Sequence, residues 1–272
     1  MINRSFFAFL LAISLPPLFA QTPQFASVPG GVAVVRINEQ QRPDAHFNGK
    51  RVMVVGKPGQ WDAYIGLPLS TKPGAHRLKV QTGEVKSIHN FDVVAKKYKE
   101  ERLTVKDQGM VTPSQANLDR IKRESAVQNE VKLSWTETDE VPLQLDLPVV
   151  ARFSSPYGLR RFFNEQPRNP HSGLDIAAPE GTPIKSPAAG KVVNTGEYYF
   201  NGNTVFIEHG QGLITMYCHM SRIDVKPGED LQRGEVIGLV GKTGRVTGAH
   251  LHWGVIMNTV SVDPMLFIQG SE

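Results

Sequence analysis

Between Val149 and Phe267, glycines recur every few residues among β-branched and aromatic runs, and this pattern limits the fold more than any other feature of the chain. Lys191-Val192-Val193, Thr204-Val205-Phe206-Ile207, Leu213-Ile214-Thr215-Met216-Tyr217 and Leu251-His252-Trp253-Gly254-Val255 are typical. Short runs of this kind broken by turn residues predict antiparallel strands joined by tight turns, with almost no helix. From Val28 to about Val105 a second set of runs predicts a small β-sandwich: Val32–Val35, Arg51–Val55, Ala63–Gly66, His76–Val80 and Phe91–Val94. One helix is expected between the two sets, with Thr112 as cap, Pro113 in the first turn and Gln115 three residues after the cap. It should end near Gln128 and carry a thin apolar stripe of Leu118, Ile121 and Ala126, enough to pack lightly or bridge domains. The acids, prolines and alternating leucines from Glu137 to Pro148 mark a linker. The fold class is therefore mainly β, with a β-rich accessory domain at 21–110, helix and linker at 111–142, and an antiparallel β domain at 143–272.

The N-terminus reads as a secretory signal peptide. Arg4 precedes an uncharged apolar run from Phe6 to Phe19, ending at Ala20 before polar Gln21. That run is shorter than the roughly 20 apolar residues of a spanning helix, and Pro16-Pro17 interrupt it, so cleavage after Ala20 is expected and no membrane span thereafter. Cys218 is the only cysteine, which excludes an internal disulfide and a lipid-modified cysteine at the cleavage point. The formal charge of +4 suits an anionic envelope polymer, while export argues against nucleic acid.

The chemistry concentrates in the second half, where five of the eight histidines fall between His171 and His252. In His171-Ser-Gly-Leu-Asp175, Gly173 would let the backbone bend so that an imidazole and a carboxylate converge. His250 and His252 flank Leu251 on an expected strand, where period-two alternation sends both imidazoles to one face. Two histidines and an aspartate, with water in a fourth position, make an open catalytic zinc site. His219 adds another imidazole near a strand end, on the face opposite Cys218.

These residues bring a resemblance into view. The segment from Arg161 to Asp263 resembles the catalytic domain of LytM/lysostaphin-type zinc metallopeptidases. It matches HxxxD at His171 and Asp175, YxHxS at Tyr217, His219 and Ser221, and HLHW at His250 to Trp253. Intervening signatures agree, among them Gly181-Thr182-Pro183, Arg233-Gly234 and Val262-Asp263-Pro264. The resemblance implies that His171, Asp175 and His252 bind one zinc per chain and that His219 and His250 are the catalytic, non-ligand pair. It implies a peptidoglycan endopeptidase acting on stem peptides, with a D-alanyl–diaminopimelate cross-link favoured over a glycine bridge. The expected place of action is the periplasm of a Gram-negative bacterium. No His-Glu-x-x-His occurs, so imidazole must do the work of the base: His250 accepts the proton of a zinc-activated water while zinc and His219 stabilise the oxyanion.

The other reading is a non-catalytic LytM-like regulator that activates cell-wall amidases, against which stand all three ligand positions and both histidines. The first domain is expected to bind wall, dock a regulatory partner or occlude the groove, and the chain is expected to be a monomer by default. Several features read more plainly. Cys218 is a buried small residue rather than half of a cysteine–histidine dyad, because strand neighbours face opposite ways. Gly241-Lys242-Thr243 is a turn, since Val236 stands where a phosphate loop needs glycine. His209 steadies a hairpin turn, and His46, His76 and His89 are surface residues. Trp253 and Tyr217 line the substrate groove or pack in the core, Trp253 facing away from His252, and Arg160, Arg161 and Arg168, which could bind a substrate carboxylate, are expected in a solvated loop.

Overall fold

The computed structural model describes residues 25–103, 114–163 and 165–268. The expected signal peptide at 1–20, and Thr112 and Pro113, lie outside the described residues. Within them, no helix is long and apolar enough to cross a membrane.

The first half contains β1 (Val32–Ile37), β2 (Asp44–Phe47), β3 (Lys50–Arg51), β4 (Met53–Lys57), β5 (Gln60–Gly66), β6 (Gly74–Thr82) and β7 (Val85–Val93). They form two antiparallel sheets, ordered β1-β5-β4 and β3-β2-β6-β7. Alternate residues point inward, as in Val35 and Ile37 of β1, Ala63 and Ile65 of β5, and Leu78 and Val80 of β6, and together they fill one core between the sheets. The run at Phe91–Val94 is only the end of nine-residue β7, and β2 was not expected at all.

The chain then passes through β8 (Glu100–Leu103) to α1 (Gln115–Val131). Ser114 is the N-cap, its hydroxyl accepting from Asn117 N at 3.4 Å, and the helix continues one turn beyond the expected Gln128. The apolar stripe is not its docking face: Val131 is the one buried side chain of α1, and Leu118 is 45% exposed. Polar contacts hold the helix instead. Arg120 pairs with Glu124 and Glu197, the Glu124 carboxylate accepts from Tyr199 N, and Asn201 Nδ2 donates to Gln128 Oε1.

The second half contains β9 (Arg152–Ser155), β10 (Arg160–Phe163), β11 (Gln166–Pro167), β12 (Leu174–Ala177), β13 (Pro183–Lys185), β14 (Gly190–Tyr198), β15 (Gly202–Glu208), β16 (Ile214–Met220), β17 (Arg222–Ile223), β18 (Asp230–Leu231), β19 (Val236–Leu239), β20 (Leu251–Met257) and β21 (Val260–Val262). Its main sheet is eight-stranded, ordered β18-β14-β15-β16-β20-β12-β9, with β21 also pairing β20. One face sends Tyr217, Leu174, Trp253 and Val255 into the largest core, which also takes Val32 and Met53 from the first half and Leu145 and Val149 from the linker region. The other face carries Phe206, Met216, Cys218 and Ile256 toward Val131 of α1.

Arg160 and Arg161 do not sit in a solvated loop. They belong to β10, which pairs in parallel with β8, and their guanidiniums meet Glu100 and Glu101 at 3.0 and 3.1 Å. Such pairing joins segments sixty residues apart, so no local pattern announces it.

Candidate active site

The site is built on the face of the main sheet that looks toward α1. Antiparallel register sets Asp175 of β12 opposite His252 of β20, and opposed residues on neighbouring strands project to the same side. His171 enters from the loop before β12, its backbone N–H donating to Leu159 O. Its Nε2 lies 3.0 Å from Asp175 Oδ1 and 3.0 Å from His252 Nδ1, and His252 Nδ1 is 2.9 Å from the same carboxylate oxygen. Tyr217 and Trp253 occupy the opposite face and are fully buried there, so neither lines the groove.

Gly173 has a different reason from the expected backbone bend. Its φ is not in the left-handed region, but a Cβ there would stand 2.5 Å from Trp253 O and 2.7 Å from His252 Nε2. Glycine is required because the His252 ring packs directly onto the backbone of the HxxxD loop.

His219 reaches the site by breaking strand alternation. On a regular β16 it would point into the core beside Tyr217, because Cys218 is the residue opposite His252. A register shift against β15 inserts one extra residue, and His219 adopts φ 64°. Bulges re-aim side chains in this way. Its ring centroid comes 4.8 Å from that of His250 and 6.1 Å from that of His252. His250 stands just before β20, its Nε2 3.8 Å from Asp175 Oδ1. All five expected residues therefore converge.

Hydrogen bonds set the ring orientations. His171 Nδ1 donates to Pro156 O at 2.9 Å, His250 Nδ1 to Gly248 O at 2.9 Å and His219 Nδ1 to Thr243 O at 3.0 Å. With Nδ1 carrying the proton, each neutral ring presents an Nε2 lone pair. Burial, reinforced by the neighbouring His252 and His250, pushes His219 down to about 4, and burial also lowers His252, so both are neutral at pH 7. Burial alone would raise the Asp175 carboxyl, but hydrogen bonds and charge from His171 and His252 prevail and hold it well below the usual carboxylate range.

Two imidazole nitrogens and one carboxylate oxygen, all within 4.8 Å of one another, form a donor set that fits a metal ion. The hydrogen bond from His171 Nδ1 to Pro156 O fixes the tautomer that leaves Nε2 free to bind a metal. Cys218 is buried and its thiol is pushed up to about 12 by that burial, which excludes it as a nucleophile at neutral pH. The Gly241–Gly244 segment bridges to His250 at Gly241 and bends at Gly244, with Thr243 Oγ1 accepting from Asn203 N. His209 is buried in the β15–β16 hairpin, away from the metal-ligand set. His46 is exposed and His76 packs on Phe47 and Phe91.

The donors lie in a cleft of about 750 Å³ whose wall includes Glu101, Gln128 and Lys132 as well as Phe200 and Arg245. The contribution of β8 and α1 was missed by sequence reasoning, and no local signal announces it: Gln128 and Lys132 look like ordinary polar residues at a helix end.

Two family models match the chain. Residues 169–264 match peptidase family M23, and residues 25–96 match the peptidase family M23 N-terminal domain. Over 115 residues the chain is 44% identical to the peptidoglycan DD-endopeptidase ShyA of Vibrio cholerae, covering 42% of this chain and 27% of that one. Over 117 residues it is 41% identical to the DD-carboxypeptidase/endopeptidase Mpg of Neisseria meningitidis, covering 43% and 27%. The matched part thus spans only about a quarter of these curated relatives. A crystal structure from Pseudomonas aeruginosa assigned to peptidase M23 shares 44% identity over 89% of this chain and 94% of its own, with a TM-score of 0.76. With that likeness running through both halves, and with the metal donors inside the matched segment, the chain belongs to peptidase family M23.

Proposed function

We propose that this protein is an exported zinc metalloendopeptidase that hydrolyses peptide cross-links in peptidoglycan, most specifically a D-alanyl–diaminopimelate bond. The observation that carries the reading is the convergence of His171 Nε2, Asp175 Oδ1 and His252 Nδ1 beside the rings of two further histidines, His219 and His250, in an open cleft. The names of the relatives from Vibrio and Neisseria support the substrate class. The charged, apolar leader at 1–20 supports export to the periplasm. On this reading residues 143–272 form the catalytic domain and 21–110 the accessory domain.

His171, Asp175 and His252 would hold the zinc. Bound there, zinc supplies Lewis acidity to the amide carbonyl and acidifies an attacking water. The remaining steps belong to the protein. His250 accepts the proton of water at Nε2, its ring held in place by Gly248 O. The hydrogen bond from His219 Nδ1 to Thr243 O alters the expected role of that residue: its neutral Nε2 is a lone pair and cannot donate to an oxyanion. His219 therefore stabilises the oxyanion only in its protonated form, while the proton that His250 takes from water is the one it returns. The proton finally passes to the leaving amine. No covalent intermediate is required.

The test is metal content together with digestion of purified peptidoglycan, using mature protein and the His171→Ala, His219→Ala and His250→Ala variants. About one zinc per chain is expected in all but His171→Ala, with cross-linked dimers converted to monomers by the unaltered protein alone. No zinc and no cleavage from the unaltered protein would overturn the reading in favour of a non-catalytic regulator. Full activity in either His219→Ala or His250→Ala would overturn its assigned role.

A further inference from the structure

Lys132, the C-cap of α1, lies in neither segment matched by the family models, yet it lines the same cleft as the metal donors. It also borders a neighbouring hollow beside Asn258 and Thr259, at the turn between β20 and β21. That position sets it on the β20–β21 side of the cleft. Ile256, another wall residue, is four positions along β20 from His252, roughly 13 Å at the rise of a strand.

Lys132 is partly buried, and among the described residues no carboxylate comes within ion-pair distance of its ammonium. Burial alone depresses its pKa, with no opposing charge. A cation withdrawn from water without an anion is unfavourable, and a ligand carboxylate would relieve it. The acids of the cleft are engaged elsewhere: Glu101 with Arg161 at 3.1 Å, and Asp175 with His171 and His252. Arg245, with its guanidinium 4.4 Å from the Phe200 ring centroid, adds a further positive charge to a wall that also carries Arg161, paired with Glu101.

We propose that Lys132 is a specificity-determining residue whose ammonium binds a free carboxylate of the peptide lying in the cleft. The proposal rests on the endopeptidase reading. It makes the preferred substrate an anionic peptide, and it gives the connecting helix a part in substrate choice that the catalytic half alone would lack. Because α1 is held chiefly by polar contacts, the position of Lys132 depends on the network of Arg120, Glu124 and Glu197.

The experiment compares steady-state cleavage of two cross-linked peptide dimers, one with free carboxylates and one with the same carboxylates amidated. The full mature chain is used, unaltered and as Lys132→Met and Lys132→Arg, with melting temperature and metal content measured alongside. The unaltered protein is expected to favour the free acid about tenfold in kcat/KM, through KM. Lys132→Met should lose that preference while leaving the amidated dimer unaffected, and Lys132→Arg should restore most of it. Equal cleavage of both dimers by the unaltered protein overturns the proposal whether or not the variants fold, and leaves the endopeptidase reading standing. Equal loss on both dimers in Lys132→Met shows a structural role and also overturns it. Failure of the unaltered protein to cleave either dimer sinks both readings together.

Discussion

His209 should make the folded state sensitive to acid, independently of any catalytic role. Its ring is buried, with Nδ1 donating to Ala189 O at 2.8 Å and Nε2 accepting from the Thr215 hydroxyl at 2.7 Å. Tyr217 in turn donates its hydroxyl to Thr215 Oγ1 at 2.8 Å, so the chain of donors is complete only while the imidazole is neutral. Burial, aided slightly by the Arg233 charge, lowers the ring from 6.5 to about 4. The unfolded chain therefore takes up a proton below pH 6.5 that the native state refuses until pH 4. Native stability is unaffected above the unfolded pKa, falls as pH drops through the interval, and levels off below it. The shift corresponds to about 3 kcal/mol in all. Other groups titrate in the same range, so the contribution is read from a difference. Urea unfolding of the unaltered protein and of His209→Gln at pH 7, 5.5 and 4 should show the stability gap between them narrowing by about 3 kcal/mol toward low pH. A gap of constant size would refute the assignment of a neutral, proton-refusing His209.

Gly173→Ala should misplace the His252 ring, because the new Cβ meets a backbone carbonyl at 2.5 Å that no rotamer change can move. A stability loss of about 1–3 kcal/mol and a fall in zinc affinity of about 10–100-fold are expected by urea unfolding and chelator competition; unchanged affinity would show that the loop yields freely. Cys218, buried with its thiol pushed up to about 12, should resist alkylation in the native protein, and Cys218→Ala should retain activity. Rapid labelling at pH 7, or inactivation of a variant that still binds metal, would restore the thiol to consideration.

Much of the site was legible because its signals are local. The period of two on β20 turns His252 to the site and Trp253 to the core, as alternation requires, whereas the register of β12 against β20 sets Asp175 opposite His252. The second-half strands likewise appear where their β-branched runs lie, and β16 and β20, apolar along most of their length, are buried on both faces. Where alternation fails, the sequence misleads: the same rule that places His252 would bury His219, and only the register shift between β15 and β16 with a left-handed His219 reverses it. The helix shows the same limit, its start displaced to Ser114 and its weak apolar stripe passed over in favour of ion pairs with β14.

By itself, then, the sequence determined the residue types able to bind metal, the strands that carry them and the turns between. Tertiary structure alone decided that β8 pairs with β10, that Gly173 is needed for contact rather than for bending, and that α1 lends Lys132 to the cleft. The physical reason is one of range. Side-chain periodicity and turn chemistry act over a few residues and can be read along the chain, whereas strand registry, bulges and the closure of a cleft depend on pairings such as Asn203 with Met220 and Asp175 with His252, whose partners lie beyond that range.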